Sequence, residues 1–138
     1  MKNDGSKSEK IFEDKIKANY GRKAFLHRLI DTKAIKGRMK GAGFSAAAPS
    51  DYVLTVNGFM VYAEVKSCSD PVSFSFSQFT ASQNATMVQQ HAANGRYEVY
   101  IHNLLLDEWF TIDAVDVLER KAKGIKSMKW TEMMRWMI

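Results

Sequence analysis

This chain of 138 residues has one cysteine, two prolines and three histidines. A lone thiol, Cys68, excludes an internal disulfide and any cysteine-rich zinc module, and it makes a reducing cytoplasm the expected compartment. His27, His91 and His102 show no HxxxH or HxH spacing, so a histidine-built zinc site has no basis. No Gly-x-x-x-x-Gly-Lys-Ser/Thr stretch occurs, which leaves hydrolysis of a nucleoside triphosphate without a phosphate cradle. No apolar run approaches the ~18 residues of a membrane-spanning helix, and the polar start, Met1-Lys2-Asn3-Asp4-Gly5, is not that of a signal peptide. Neither a repeat nor a low-complexity tract is present.

What remains is ordinary for one globular domain: 46% hydrophobic and 25% charged residues, on a chain long enough to bury a core. Twenty Lys and Arg against 15 Asp and Glu give a formal charge of +5. That balance suits a polyanionic partner without requiring one.

Residues 6–19 read as a helix with Ile11, Phe12, Ile16 and Tyr20 on its apolar stripe. Ser6 or Ser8 caps it, and Glu9 follows Ser6 at capping-box spacing. Residues 24–30 read as a strand. A polar connection follows, carrying Lys33, Lys36, Arg38 and Lys40 among Gly37, Gly41 and Gly43. Beyond a hairpin, residues 67–75 form a loop or short extended piece, and residues 77–93 form a helix that stops at Asn94-Gly95. Strands are expected at 96–102 and 109–112, a helix capped by Asp113 through about 123, and a last helix at about 128–137. The fold class is α/β: a single domain with a mixed central sheet flanked by helices. Its core covers about 5–113, with a C-terminal helical extension at about 114–138.

The hairpin carries the chemistry. Asn57-Gly58 between two β-rich runs predicts a two-residue turn, because both central residues need positive φ. Counting outward, Val56 meets Phe59 and Asp51 falls opposite Glu64. Opposed side chains on a sheet stand about 5 Å apart, so two carboxylates there repel unless a cation lies between them. A divalent ion with oxygen ligands answers that, and Lys66 projects onto the same face. Two carboxylates and a lysine on one face look like a metal-dependent nuclease centre. Tyr52, Leu54, Val56, Phe59, Val61, Ala63 and Val65 point the other way, toward a core. The plainer alternative is an amphipathic hairpin whose open end carries a solvated Glu–Lys pair.

These pieces stand in a recognisable order: Phe12-Glu13 on the first helix, the Arg28-Leu29-Ile30-Asp31 stretch, Pro49-Ser50-Asp51, Glu64-Val65-Lys66, Ser73-Phe74-Ser75-Phe76, and Gln83 on the following helix. The order resembles the PD-(D/E)XK nuclease superfamily, and within it the Holliday junction resolvases of the RecU and archaeal-resolvase type, including small phage-encoded RecU-like proteins. One departure is Ser50, which separates Pro49 from Asp51. The resemblance spans roughly residues 5–113 and implies a restriction-endonuclease-like αβββαβ core. It implies Asp51 and Glu64 as ligands of Mg²⁺, with Mn²⁺ as a substitute, the Val65 carbonyl completing the shell, and Glu13 as a further ligand. Lys66 would then act as base or electrostatic stabiliser, and Gln83 would support Lys66 or a phosphate. Taken as surface residues instead, Glu13 pairs with Lys10 or Lys17, and Gln83, like Gln78, Gln89 and Gln90, is solvated. Arg28 pairs with Asp31 or meets a phosphate.

The basic connection of Lys33, Lys36, Arg38 and Lys40 can follow DNA phosphates without reading bases. A second basic cluster, Arg120, Lys121, Lys123, Lys126 and Lys129, can extend that footprint. Neither has the spacing of a base-reading element, which favours branched DNA such as a four-way junction over sequence-specific restriction. Resolvases resemble one another in being homodimers, so a homodimer is expected. The expected activity is therefore structure-selective, metal-dependent cutting of Holliday junctions. The alternatives are another nuclease of the superfamily, a repair nickase or restriction-type enzyme, and a non-catalytic DNA-binding module.

Overall fold

The computed structural model describes residues 5–30 and 47–138. Asp31, Lys33, Lys36, Arg38 and Lys40 lie outside the described residues. The chain opens with helix α1 (Gly5–Tyr20), on which Ser8, Phe12 and Ile16 are buried. Their spacing of four places them on one helical face. Strands β1 (Ala24–Arg28), β2 (Tyr52–Val56) and β3 (Phe59–Cys68) follow, then a short strand β4 (Ser73–Ser75) and helix α2 (Ala81–Ala92). Strands β5 (Tyr97–Asn103) and β6 (Glu108–Asp113) lead into helix α3 (Ala114–Ala122), and two short strands, β7 (Ser127–Lys129) and β8 (Met134–Arg135), close the chain.

Six strands make the main sheet in the order β1-β2-β3-β5-β6-β8, and β4 pairs with β7 in a separate ribbon. Among the described residues only β3 and β5 run parallel, and the other pairings are antiparallel. The mixed sheet flanked by helices is the expected fold class. The hairpin register is also the expected one, Val56 opposite Phe59 and Tyr52 opposite Ala63. Asn57 (φ 50°) and Gly58 (φ 87°) form the turn, both in the left-handed region that this turn type demands.

Both faces of the sheet are covered. On the first, Phe12 and Ile16 of α1 pack with Tyr52, Leu54, Val61, Ala63, Val65, Tyr100 and Trp109. The Phe12 ring lies 5.4 Å from Tyr52, 4.9 Å from Tyr100 and 5.2 Å from Trp136. Ser8 Oγ, 3.0 Å from His102 Nδ1, ties the start of α1 to β5. Phe12 is fully buried, so Phe12→Ala should destabilise the fold by about 3–5 kcal/mol in a denaturant melt. On the second face, α2, α3 and the β4–β7 ribbon enclose Phe74, Phe76, Phe79, Met87, Val99, Ile101, Val117 and Trp130.

Two expectations are corrected. The second helix begins at Ala81 and not at 77, because Phe76–Gln78 form a separate 3₁₀ turn and Thr80 is the N-cap. Phe76 and Phe79 are buried in the core, and the break between turn and helix turns both inward. The last helix, expected at about 128–137, does not form. Residues Ser127–Lys129 pair with β4, Trp130–Glu132 make a 3₁₀ turn, and Met134–Arg135 pair with β6. The helical part of the C-terminal extension is α3 alone. Met128, Trp130 and Met133 are buried, whereas Met134 and Met137 are 72% and 77% exposed. Burial at those positions suits an extended chain laid along the core, and sheet pairing outweighs the helix-like spacing of the methionines.

Candidate active site

The site sits on the second face, where β3 passes beneath the start of α2. Asp51 immediately precedes β2, and its backbone carbonyl accepts a hydrogen bond from Leu29 N at 2.8 Å. Ser50, buried in the bend, donates from its hydroxyl to the Tyr52 carbonyl at 2.6 Å. The serine that interrupts the Pro–Asp pair thus holds the bend that aims Asp51. The Asp51 carboxylate then accepts from Val65 N through Oδ2 at 2.9 Å. A strand residue exposes its N–H and C=O to the same edge, so the Val65 carbonyl points to Asp51 as well.

Glu64 is 3% exposed. Gln83 Nε2 donates to its Oε1 at 2.9 Å, and the Tyr97 hydroxyl reaches its Oε2 at 3.4 Å. Burial first, and the adjacent Asp51 carboxylate second, push the Glu64 pKa up to about 9, with Lys66 opposing. A carboxyl in this state favours a proton or a metal ion as its neutralising partner. Burial also raises the Tyr97 phenol well above its ordinary value, and the Glu64 charge adds to this.

Lys66 is held by acceptors on α2 and on the turn before it. Its ammonium donates to Gln83 Oε1 at 2.9 Å and to the Gln78 carbonyl at 3.1 Å, and it lies 5.8 Å from the Phe79 ring centroid. Gln83 therefore joins both charged groups, accepting from Lys66 and donating to Glu64. A flipped amide would set its NH₂ against the ammonium, so the network fixes the orientation. The same Oε1 accepts from Thr80 N at 3.0 Å, while Thr80 Oγ1 accepts from Gln83 N at 3.1 Å. One residue is thus the third position of a capping box and the bridge of the site. Gln83→Ala should cost about 1 kcal/mol of stability through the lost cap, read in a denaturant melt.

Glu13 is placed elsewhere. α1 packs on the opposite face from Glu64, and the Glu13 carboxylate accepts from the Tyr52 hydroxyl at 2.7 Å. Arg28 Nη1 lies 2.6 Å from Glu9 and 3.7 Å from Glu13, and it donates to Tyr52 at 3.0 Å. Glu13 therefore pairs with Arg28 and not with Lys10, whose partner is Asp14 at 3.0 Å. Among the described residues, no group of three or more His, Cys, Asp and Glu gathers to hold a metal, and Asp51 and Glu64 are the two sequence-predicted carboxylates that the β2–β3 hairpin brings together. Sequence reasoning missed Tyr97, which arrives from the parallel neighbour β5. It also took Gln78 as solvated, whereas its side chain donates to Cys68 Sγ at 3.4 Å and its backbone carbonyl accepts from Lys66. Thr80 carried a signal in the Thr-x-x-Gln spacing of a capping box.

With this geometry in hand, the sequence matches the family RecU, Recombination protein U, over residues 4–138. The chain belongs to the RecU family. Membership supports Holliday junction resolvase activity, which makes the chain an endonuclease. Among solved structures, this RecU-family fold is similar to that of Hjc from Archaeoglobus fulgidus, a Holliday junction resolvase from an archaeal hyperthermophile. The TM-score is 0.56 at 17% identity, with 94% of each chain covered. No curated protein matches this RecU-family chain at a significant level. Among the described residues, no helix is long and apolar enough to cross a membrane.

Proposed function

We propose that this RecU-family chain resolves four-way DNA junctions by Mg²⁺-dependent hydrolysis of paired phosphodiester bonds, two copies acting together in the cytoplasm. The observation that carries the reading is the interlocked set of Asp51, Glu64, Lys66 and Gln83, in which one amide ties the buried carboxylate to the lysine. The donor set fits a hard cation. Asp51 and Glu64 offer carboxylate oxygens, the Val65 carbonyl faces the same gap, and Mg²⁺ keeps waters for its remaining positions. Mn²⁺ takes such oxygen ligands too. When bound, the ion supplies Lewis acidity and an activated water.

The chain's own residues do the positioning. An ammonium has three N–H donors, and two of those on Lys66 are engaged by Gln78 and Gln83. The third is left for an oxygen of the scissile phosphate, whose charge Lys66 stabilises as the transition state forms. Glu9, Glu13 and Tyr52 hold Arg28 at the strand end beside Asp51, where its guanidinium meets a neighbouring phosphate. Lys33, Lys36, Arg38 and Lys40 precede Asp51 in the sequence, and their charge suits the flanking DNA backbone.

Cleavage of a synthetic four-way junction, a nicked duplex and a linear duplex, each with Mg²⁺ or EDTA, tests this. Symmetric, Mg²⁺-dependent nicks near the branch point are expected. Equal cutting of linear duplex would sink junction selectivity, and tight junction binding without metal-dependent cutting would sink catalysis.

A further inference from the structure

A second polar feature lies beside the site, on the same side of the sheet. Between the start of α2 and the end of α3 the surface opens into a groove of ≈ 490 Å³ lined by Ser75, Ser77, Phe79, Asn84, Lys121 and Lys126 among others. Among the described residues no carboxylate lines it, and the first turn of α2 carries no acidic residue. Of two other grooves on the molecule, one is lined by Glu98 paired with Arg96 at 2.7 Å, and the other by Arg96 with Glu98, Asp113, Asp116 and Glu132. A polyanion is repelled from this last groove and drawn to that of Lys121 and Lys126.

The basic residues here are held in place. Lys121 Nζ donates to Asn84 Oδ1 at 2.8 Å, and Asn84 Nδ2 donates to the Thr80 carbonyl at 3.1 Å, so the ammonium is anchored to the start of α2. The Lys126 carbonyl accepts from Phe76 N at 2.9 Å, which fixes that residue against the Ser75–Phe76 wall. Ser75 and Ser77 hold their hydroxyl oxygens 2.7 Å apart, and Ser77 is exposed. The structure also sorts the C-terminal basic cluster: Arg120 is paired with Glu132 at 3.2 Å, while Lys121 and Lys126 line the groove. Continuity with the active centre comes through Phe79, which lines the groove and lies 5.8 Å from the Lys66 ammonium.

We propose that this groove is a DNA backbone subsite, in which Lys121 and Lys126, with the Ser75 and Ser77 hydroxyls, bind phosphodiesters of the strand that continues past the scissile bond. It rests on the resolvase reading of the neighbouring centre and names where that substrate runs. The contacts are to phosphate alone, so they position the strand without reading its sequence.

The test is junction binding by fluorescence anisotropy in EDTA over a range of NaCl concentrations, for wild type, K121A/K126A and K7A/K17A. Lys7 and Lys17 are exposed on α1, which packs on the other face of the sheet, so K7A/K17A is the matched loss of two charges. Each phosphate contact adds about one to the slope of log affinity against log salt, so K121A/K126A should reduce that slope by about 2. Its low-salt affinity should fall at least about tenfold, while K7A/K17A leaves the slope unchanged. In Mg²⁺, KM should rise in K121A/K126A with kcat held. A K121A/K126A variant indistinguishable from K7A/K17A overturns the subsite. Wild type binding junction no more tightly than linear duplex would instead overturn the resolvase reading, a separate outcome of the same titrations.

Discussion

Asp51→Asn is expected to reduce Mg²⁺-dependent junction cleavage by about 1,000-fold or more, the scale of losing a group that organises transition-state charge. Junction binding in EDTA should be retained or improve. The asymmetry follows from the position of the side chain. Its Oδ2 accepts from Val65 N, a role an asparagine oxygen can keep, so the bend and the strand survive. What disappears is the charge of one of the two carboxylates proposed to hold the cation, together with its repulsion of a phosphate. Cleavage and anisotropy measured on one preparation separate the effects. Full activity in this variant would remove Asp51 from the metal site.

The second large effect is a pH dependence of stability in the metal-free protein. Glu64 has its pKa raised from 4.5 to about 9 by burial and by Asp51, so the folded state holds this proton more tightly than the unfolded chain does. The stabilisation is complete below about pH 4.5 and is lost as pH climbs toward about 9. One proton sets a ceiling of about 1.4 kcal/mol per pH unit on the slope within that window. Thermal melts in EDTA should show the apparent Tm of wild type falling from pH 6 to 8.5 relative to that of Glu64→Gln. The variant lacks the titration and keeps an uncharged group in the buried place. Millimolar Mg²⁺ should raise the wild-type Tm at the alkaline end, since an ion that binds only the folded, ionised pair shifts the equilibrium by mass action. Parallel profiles for wild type and variant would show that Glu64 is not the group concerned.

Much of the fold was legible where its cause was local. The Asn57-Gly58 turn and the two-residue alternation on either side of it fix the hairpin register, and with it the meeting of Asp51, Glu64 and Val65. The stripe of Phe12 and Ile16 marks α1 for the same reason. Helical spacing sets Gln83 on one stripe with Met87, where a polar amide needs partners, but its role at the site came from family resemblance, because no local rule says what that stripe meets. Glu13 shows the limit of that route: lying on the apolar side of α1 does not reveal that the sheet stands between its helix and Glu64. The C-terminal segment was misread because Trp130, Met133, Met134 and Met137 fit helical spacing. Its strands exist only by virtue of β4 and β6, partners remote in sequence. Lys33, Lys36, Arg38 and Lys40 lie outside the described residues, so their place on DNA rests on the sequence.

The parallel pairing of β3 with β5 has a consequence for how the site comes into being. A parallel neighbour cannot be reached by a tight turn and requires a crossover, here the segment from Ser69 to Arg96 that contains α2. The β2–β3 hairpin can form early, from near neighbours, and it carries both carboxylates and the lysine. The amide that joins Glu64 to Lys66, and the Tyr97 hydroxyl, arrive only when the crossover closes and β5 docks, a long-range event that is slow relative to hairpin formation. Until then Glu64 is open to water and lacks its partners on α2 and β5. A nascent or locally unfolded chain therefore carries the charged residues of a nuclease without the assembled centre, and competence to cut DNA is tied to completion of the fold.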